Sequence, residues 1–277
     1  NILKKKNQII FQKISCTNKT IENLINNFLT KKNSFIFESV EKRRIRGRYT
    51  IIGADPDKIW EFNKKKINIF INKRNIKIKA NPYNYLKTLI KNFNFPLPKE
   101  IPPICSLLVG YFSYDIIRYI ENVPDKCIDD LNIPDVRLLR PRTVIIYDNQ
   151  KKYIYFIKNC FSDEKIKNYK KKFNSIEKLI NDLIFTANYK SNFVTDKFKK
   201  KIKVKSNISK NKFLKNVKKA KEYIKIGDIF QVVLSQRFEA KLTKNPIEIY
   251  KKLRINNPSP FMYFFNFEDF QIIGASP

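Results

Sequence analysis

Glycine is nearly absent from this chain: five residues in 277, at Gly47, Gly53, Gly110, Gly227 and Gly274. A sequence this poor in glycine keeps it where a left-handed backbone or the close approach of another group leaves little alternative. It also cannot build the glycine-rich loops that cradle phosphates, so a dinucleotide fingerprint and a P-loop are excluded. Each of the five falls in a segment that other signals single out. The most organised of these runs from Gly227 to Arg237. Ala220, Tyr223 and Ile224 share one face of a helix that should stop at Gly227. The apolar run from Ile229 to Leu234 then predicts a strand covered on both faces. Gln231, Ser235, Gln236 and Arg237 would be polar groups in or beside a core, each in need of a partner from the protein or from a ligand.

Hydrophobic residues make up 43% of the chain and aromatics 14%, which fits a globular protein of one large or two ordinary domains. The net charge of +32 invites a nucleic-acid reading. Lysine, asparagine, isoleucine, phenylalanine and tyrosine are abundant together, however, and all have A/T-rich codons. The lysines are spread among asparagines and form no stripe, so mutational bias explains them and no nucleic-acid partner is expected. Histidine is missing, which removes the commonest general base and a favoured metal ligand. Cys16, Cys105, Cys127 and Cys160 form no C-x-x-C pair, so neither zinc nor a disulfide framework is suggested, and reduced thiols in the cytoplasm are expected. No apolar run of about 18 residues and no signal peptide predict a membrane span or export. The chain opens at Asn1, its one methionine is Met262, and it stops directly after a strand-like run. These features predict a piece of a longer protein, open at its C-terminal end and at its N-terminal end too.

Along the chain, residues 8–15 alternate as a strand, and Thr20 is placed to cap a helix carrying Ile21, Leu24, Ile25, Phe28 and Leu29 on one face. Residues 34–40 and 46–53 read as strands, the first ending in Glu38 and Ser39. Either those two form a turn, or a buried carboxylate and hydroxyl there await a cation or an ammonium group. A hairpin is predicted over residues 57–71 around three lysines, a helix over 83–93, and a strand over 106–115 that breaks at Gly110. Strands over 136–147 and 153–157 flank a turn at Asp148, and a helix follows over 162–184. The pattern dissolves into lysine, asparagine and serine at 187–209, which reads as a linker between a first domain, 1–186, and a second beginning at 210. Helices over 210–225 and from Asn245-Pro246 onward, then strands over 261–265 and 270–274, complete the chain.

Several of these segments carry a resemblance. Phe37-Glu38-Ser39-Val40, the run from Arg46 to Gly53, the run from Val109 to Asp115 and Leu139-Arg140-Pro141 resemble the N-terminal half of anthranilate synthase component I. Ala220 through Arg237, Asn257 through Met262 and Gly274-Ala275-Ser276-Pro277 are similar to the opening of that family's chorismate-binding domain. The resemblance implies an α+β, two-lobed protein with large antiparallel sheets flanked by helices, its C-terminal part missing here. Residues 1–186 would be a tryptophan-binding lobe, and 210–277 the truncated start of the catalytic domain. The implied reaction turns chorismate and ammonia, released from glutamine by an amidotransferase partner, into anthranilate and pyruvate with Mg²⁺. By the same resemblance, feedback L-tryptophan would bind Ser39, Pro260, Phe261 and Met262, with Glu38 a further candidate. The polar pair suits an ammonium and a carboxylate, and Phe261 and Met262 suit an indole ring. The family often has tyrosine where Phe261 stands. Its catalytic residues and Mg²⁺ ligands lie beyond Pro277, so the 277-residue piece is expected to be inactive. Two alternatives stay open: the sister enzyme aminodeoxychorismate synthase component I, and an inactive tryptophan-binding remnant.

Overall fold

The computed structural model describes residues 7–15, 18–40, 47–64, 66–72, 74–93, 95–163, 174, 178 and 202–277. The predicted helix over 162–184 lies outside these residues, apart from two isolated positions. The chain divides into two compact units, Asn1–Tyr189 with Pro246–Pro277, and Lys190–Asn245.

The first unit is built on a ten-stranded antiparallel sheet. Its main path runs β1 (Gln8–Ser15), β8 (Tyr153–Cys160), β7 (Val136–Asp148), β3 (Tyr49–Asn63), β2 (Ser34–Glu38), β11 (Phe261–Asn266) and β12 (Gln271–Ser276). Beside this path, β4 (Lys66–Ile71) pairs with β3 and β5 (Arg74–Ile78), and β6 (Val109–Phe112) pairs with β7. The segments predicted separately over 46–53 and 57–62 form one strand of 15 residues. Its register shifts between Pro56 and Lys58, a bulge that accommodates a proline unable to donate to the ladder.

Helix α1 (Asn18–Leu29) covers one face, and it buries Ile21, Leu24, Ile25, Phe28 and Leu29 as their spacing requires. It begins two residues before Thr20, which therefore lies inside the helix. Helix α2 (Pro82–Asn92) is capped by Asn81, whose Oδ1 accepts from the Asn84 amide at 3.1 Å. Two of the five glycines, Gly47 and Gly227, have φ of 94° and 84°. At Gly53, Gly110 and Gly274 a Cβ would overlap the Phe35 ring, the Arg137 carbonyl and the Tyr263 ring.

The domain boundary differs from the sequence expectation. Residues 246–277 close onto the N-terminal strands instead of opening a separate domain. The cause is the free edge of β2: β11 pairs with it from Met262↔Glu38 to Asn266↔Ser34, and β12 extends the sheet. At the hairpin tip Arg137, 5% exposed, is paired with Asp269 and Glu61, and its guanidinium packs against the rings of Phe267 and Phe270. Helix α4 (Pro246–Asn256) begins at its proline, as predicted, and places Tyr250 in the core.

The second unit holds α3 (Lys210–Lys225) and a two-stranded sheet of β9 (Val204–Ser206) and β10 (Phe238–Ala240). Ser209 caps α3, and the chain leaves it at Gly227, with the Asp228 amide donating to the Tyr223 carbonyl at 3.0 Å. The predicted buried strand over 229–234 is not formed. That run has no strand ladder, and Phe230 is 99% and Val233 82% exposed. Apolar composition alone does not make a strand; the backbone needs a neighbour to bond to. Gln231 and Ser235 are exposed. Gln236 donates to Ser206 Oγ at 2.8 Å, and Arg237 pairs with Glu239. Val204–Ser206 is a strand inside the stretch expected to be linker.

Candidate functional site

The sheet of the first unit ends, on one side, where β2 leaves the ladder and β11 enters it. Beyond the Met262↔Glu38 pair, the Val40 amide donates to the Ser259 carbonyl at 3.1 Å and holds the two chain ends together. A cavity of about 780 Å³ opens there. Ser39, Pro260, Phe261, Met262 and Glu38 all line it, so the structure brings the five candidates together from positions more than two hundred residues apart. Phe37, Ile51 and Tyr263, cross-strand neighbours on one face, add an apolar wall. Gly274 makes room for the Tyr263 ring, because any side chain there would collide with it. Met262 is buried, and Phe261, 64% exposed, stands at the mouth.

Glu38 is not a free acid waiting for a ligand. Its carboxylate lies on the helix-covered side, where Tyr250 Oη donates to Oε2 at 2.5 Å and Arg254 Nε stands 3.0 Å away. Burial raises the Glu38 pKa above the usual carboxylate value, and Arg254 and Tyr250 offset only part of that rise. Burial and the neighbouring Glu38 likewise push the Tyr250 phenol upward. These contacts make Glu38 a clasp between β2 and α4, the helix that leads directly into Pro260, Phe261 and Met262.

Arg48 also lines the cavity, and sequence reasoning passed over it. A signal was present: a cation beside a left-handed glycine, at the start of a strand facing the other candidates. Its Nη2 donates to Asp148 Oδ2 at 2.9 Å and its Nε to the same oxygen at 3.2 Å. Burial alone would raise the Asp148 carboxyl. Arg48 and the amides of Lys151 and Gln150 outweigh it and hold the pKa below the usual value. The cavity thus combines a hydroxyl, a guanidinium and several aromatic rings, while the Met262 side chain, opposite Glu38 in the ladder, packs on the helix-covered side with Tyr250 and Phe264; that set fits an amphipathic small molecule with a carboxylate and a ring.

A model of the family described as chorismate binding enzyme matches residues 32–277. The chain belongs to the chorismate-binding enzyme family. Among curated members of this family, anthranilate synthase component 1 of Acetivibrio thermocellus is 37% identical over 250 residues, covering 88% of this chain and 50% of the relative. The protein of the same name from Cereibacter sphaeroides is 32% identical over 280 aligned residues, with 98% and 56% covered. The crystal structure of anthranilate synthase component I from Streptococcus pneumoniae TIGR4 superposes with a TM-score of 0.70 at 28% identity, covering 86% of this chain and 52% of that one. The large antiparallel sheet flanked by a few helices is therefore the family fold. The chain spans about half the length of the curated relatives it matches.

Proposed function

We propose that this chain is the N-terminal half of an anthranilate synthase component I. In the whole protein, chorismate and ammonia would become anthranilate and pyruvate, the ammonia supplied from glutamine by an amidotransferase component. The reading is supported by the family membership and by the names of its relatives, several of which are anthranilate synthase component 1. The sister reaction, aminodeoxychorismate synthesis, is not favoured by those names. No helix among the described residues is long and apolar enough to cross a membrane, which is compatible with a cytoplasmic enzyme.

The role proposed for the part in hand is feedback recognition of L-tryptophan in the cavity of about 780 Å³. One observation carries it: Ser39 and Pro260-Phe261-Met262 converge there beside Arg48. Arg48 and Ser39 would take the carboxylate and ammonium groups of the amino acid, and Phe261 and Tyr263 its indole ring, with Met262 fixing β11 from the helix-covered side. The cavity is large enough for a ligand of that size. Binding would favour one arrangement of the β2, β11 and α4 junction over another, and that bias is the physical content of inhibition.

The Mg²⁺ expected of the whole enzyme is not assigned to any residue of this chain. Among the described residues no group of three or more histidine, cysteine, aspartate or glutamate side chains could hold a metal ion. Because the resemblance assigns none of the family's catalytic residues to the motifs matched here, the 277-residue chain alone is expected to release no pyruvate from chorismate. The deciding experiment is isothermal titration of the complete enzyme with L-tryptophan. A loss of affinity of tenfold or more in Ser39→Phe is expected, and equal affinity in the two proteins removes the site assignment.

A further inference from the structure

Asp148 ends β7 and opens the turn to β8. It is 1% exposed and is not among the residues that line the cavity of about 780 Å³, so a ligand there does not reach it. Its two oxygens are spent inside the protein. Oδ1 accepts from the amides of Gln150 and Lys151, each at 3.0 Å, and Oδ2 accepts from Arg48 Nη2 and Nε. The same turn grips the backbone at Arg48. The Asn149 amide donates to the Arg48 carbonyl at 2.7 Å, and Asn149 Nδ2 donates to the Gly47 carbonyl at 3.1 Å.

The register tells on which side of the sheet this happens. Tyr49 stands opposite Asp148, Ile51 opposite Phe37, and Phe37 opposite Tyr263. Residues opposite each other in an antiparallel ladder share a face, and so do residues two apart on one strand. Asp148 and Tyr49 are therefore on the face that carries the apolar wall of the cavity. The Arg48 guanidinium lies 4.8 Å from the Tyr49 ring centroid, and Tyr49 itself lines the cavity. An acid and a ring on the cavity side thus hold the guanidinium there.

Of the five N–H groups of a guanidinium, this arrangement uses one on Nε and one on Nη2. Nη1 bonds to no described residue. The Arg48 side chain is 37% exposed, and apart from the Tyr49 ring no other group among the described residues restrains its head. A long side chain released from Asp148 would spend much of its time in water.

We propose that Asp148 is the positioning residue that makes this cavity select a ligand with a carboxylate: it holds Arg48 by Nε and Nη2 and leaves Nη1 for the ligand. The inference rests on the reading of the cavity as an amino-acid site. Two effects of Asp148 oppose each other. Its negative charge weakens the pull of Arg48 on a second carboxylate, while its hydrogen bonds keep the guanidinium from swinging away. Four donors already compensate that charge, so positioning is the larger effect.

The test is isothermal titration of the complete enzyme with L-tryptophan and with L-tryptophanamide. Both ligands have the indole and the ammonium group, and only the first has a carboxylate. The native enzyme should prefer L-tryptophan by about tenfold or more, as the loss of a charge-assisted hydrogen bond implies. Asp148→Asn keeps an oxygen for the two turn amides but turns an NH2 group toward the guanidinium, so the preference should fall to about threefold or less. Arg48→Met should do the same. Adding Asp148→Asn to it should change the preference no further, because Asp148 acts through Arg48. A role in folding alone would weaken both ligands alike and would persist in the Arg48→Met background. Tighter L-tryptophan binding by Asp148→Asn, or an unchanged preference, overturns the proposal and leaves the cavity assignment standing. No L-tryptophan binding by the native enzyme removes the cavity assignment and this inference with it. If Asp148→Asn fails to fold, Asp148→Ser, whose hydroxyl suits the turn but is too short to reach Arg48, decides by the same ratio.

Discussion

Two apolar runs in the C-terminal third have similar text and opposite fates. Phe261–Asn266 is a strand with Phe264 and Phe265 buried at 1% and 3%. The run from Ile229 to Leu234 joins no strand ladder among the described residues, and Phe230 stands 99% exposed. The difference is not hydrophobicity. It is that β2 offers β11 an open edge, a matching register and three anchors: the Asn266 side-chain amide on the Leu29 and Lys31 carbonyls, Arg137 on Asp269, and Glu38 on α4. Burial is conferred by the partner, and the sequence of a strand reports only its readiness.

Matched truncations test this contrast most strongly. Phe264→Ala should cost about 3 to 5 kcal/mol in urea denaturation of the chain, because it leaves a hole among residues that do not collapse. Phe230→Ala should shift stability by no more than about 0.5 kcal/mol. Equal costs would mean that the exposed run is in fact packed.

A smaller effect is expected at the hairpin tip. Arg137→Met leaves Glu61 facing an apolar neighbour, and a loss of about 3 kcal/mol should lower the urea midpoint. The same substitution paired with Glu61→Gln should recover part of it. If the double variant were no more stable than the single one, the ion pair would not be what holds the tip.

Gly274→Ala comes next, at about 1 to 3 kcal/mol, because its Cβ meets the Tyr263 ring. The cavity lined by Tyr263 should bind L-tryptophan more weakly in that variant, read by calorimetry. Unchanged stability would mean the ring moves aside without cost.

The smallest effect is a pH slope. The Glu38 carboxyl has a raised native pKa, so the native state holds its proton more tightly than the unfolded chain. Its contribution is fully present below the unfolded value of 4.5 and is lost as pH rises through the native value. In that window stability should fall with pH by up to about 1.4 kcal/mol per unit, and Glu38→Gln should flatten the slope. Asp148, whose pKa is lowered, acts in the opposite direction: its contribution is present above 3.8 and fades as pH falls through its native value. A profile of Glu38→Gln parallel to that of the wild type would count against the buried clasp.

Much of the fold was legible because periodicity and burial agree. The helix faces at Leu24 and Phe28, the stop at Gly227 and the start at Pro246 follow from rules that act within a few residues. The five glycines mark backbone or contact constraints for the same reason. Strand β5 was missed because Arg74, Asn75 and Lys77 hide its period on an edge where both faces see water. The two pieces predicted for β3 left out Ala54, Asp55 and Pro56, which the bulge carries within one strand. Four of the site residues were reached through a resemblance, and their convergence is a fact of tertiary pairing that no local rule contains. The Tyr250 and Arg254 partners of Glu38 were out of reach for the same cause: each meets its neighbour only after distant strands have paired.

The closure of β2 by β11 has a consequence for synthesis. Glu38 and Tyr250 are 212 residues apart in the chain, so the edge of β2 stays uncovered while all the intervening residues are made. At a translation rate of roughly 5 to 20 residues per second, that interval lasts on the order of 10 to 40 seconds. An apolar strand with unpaired amides is a template for the wrong neighbour during that time. The nascent chain is therefore most vulnerable to aggregation before residues 246–277 emerge, and a chaperone that shields Ser34–Glu38 would act in just that interval.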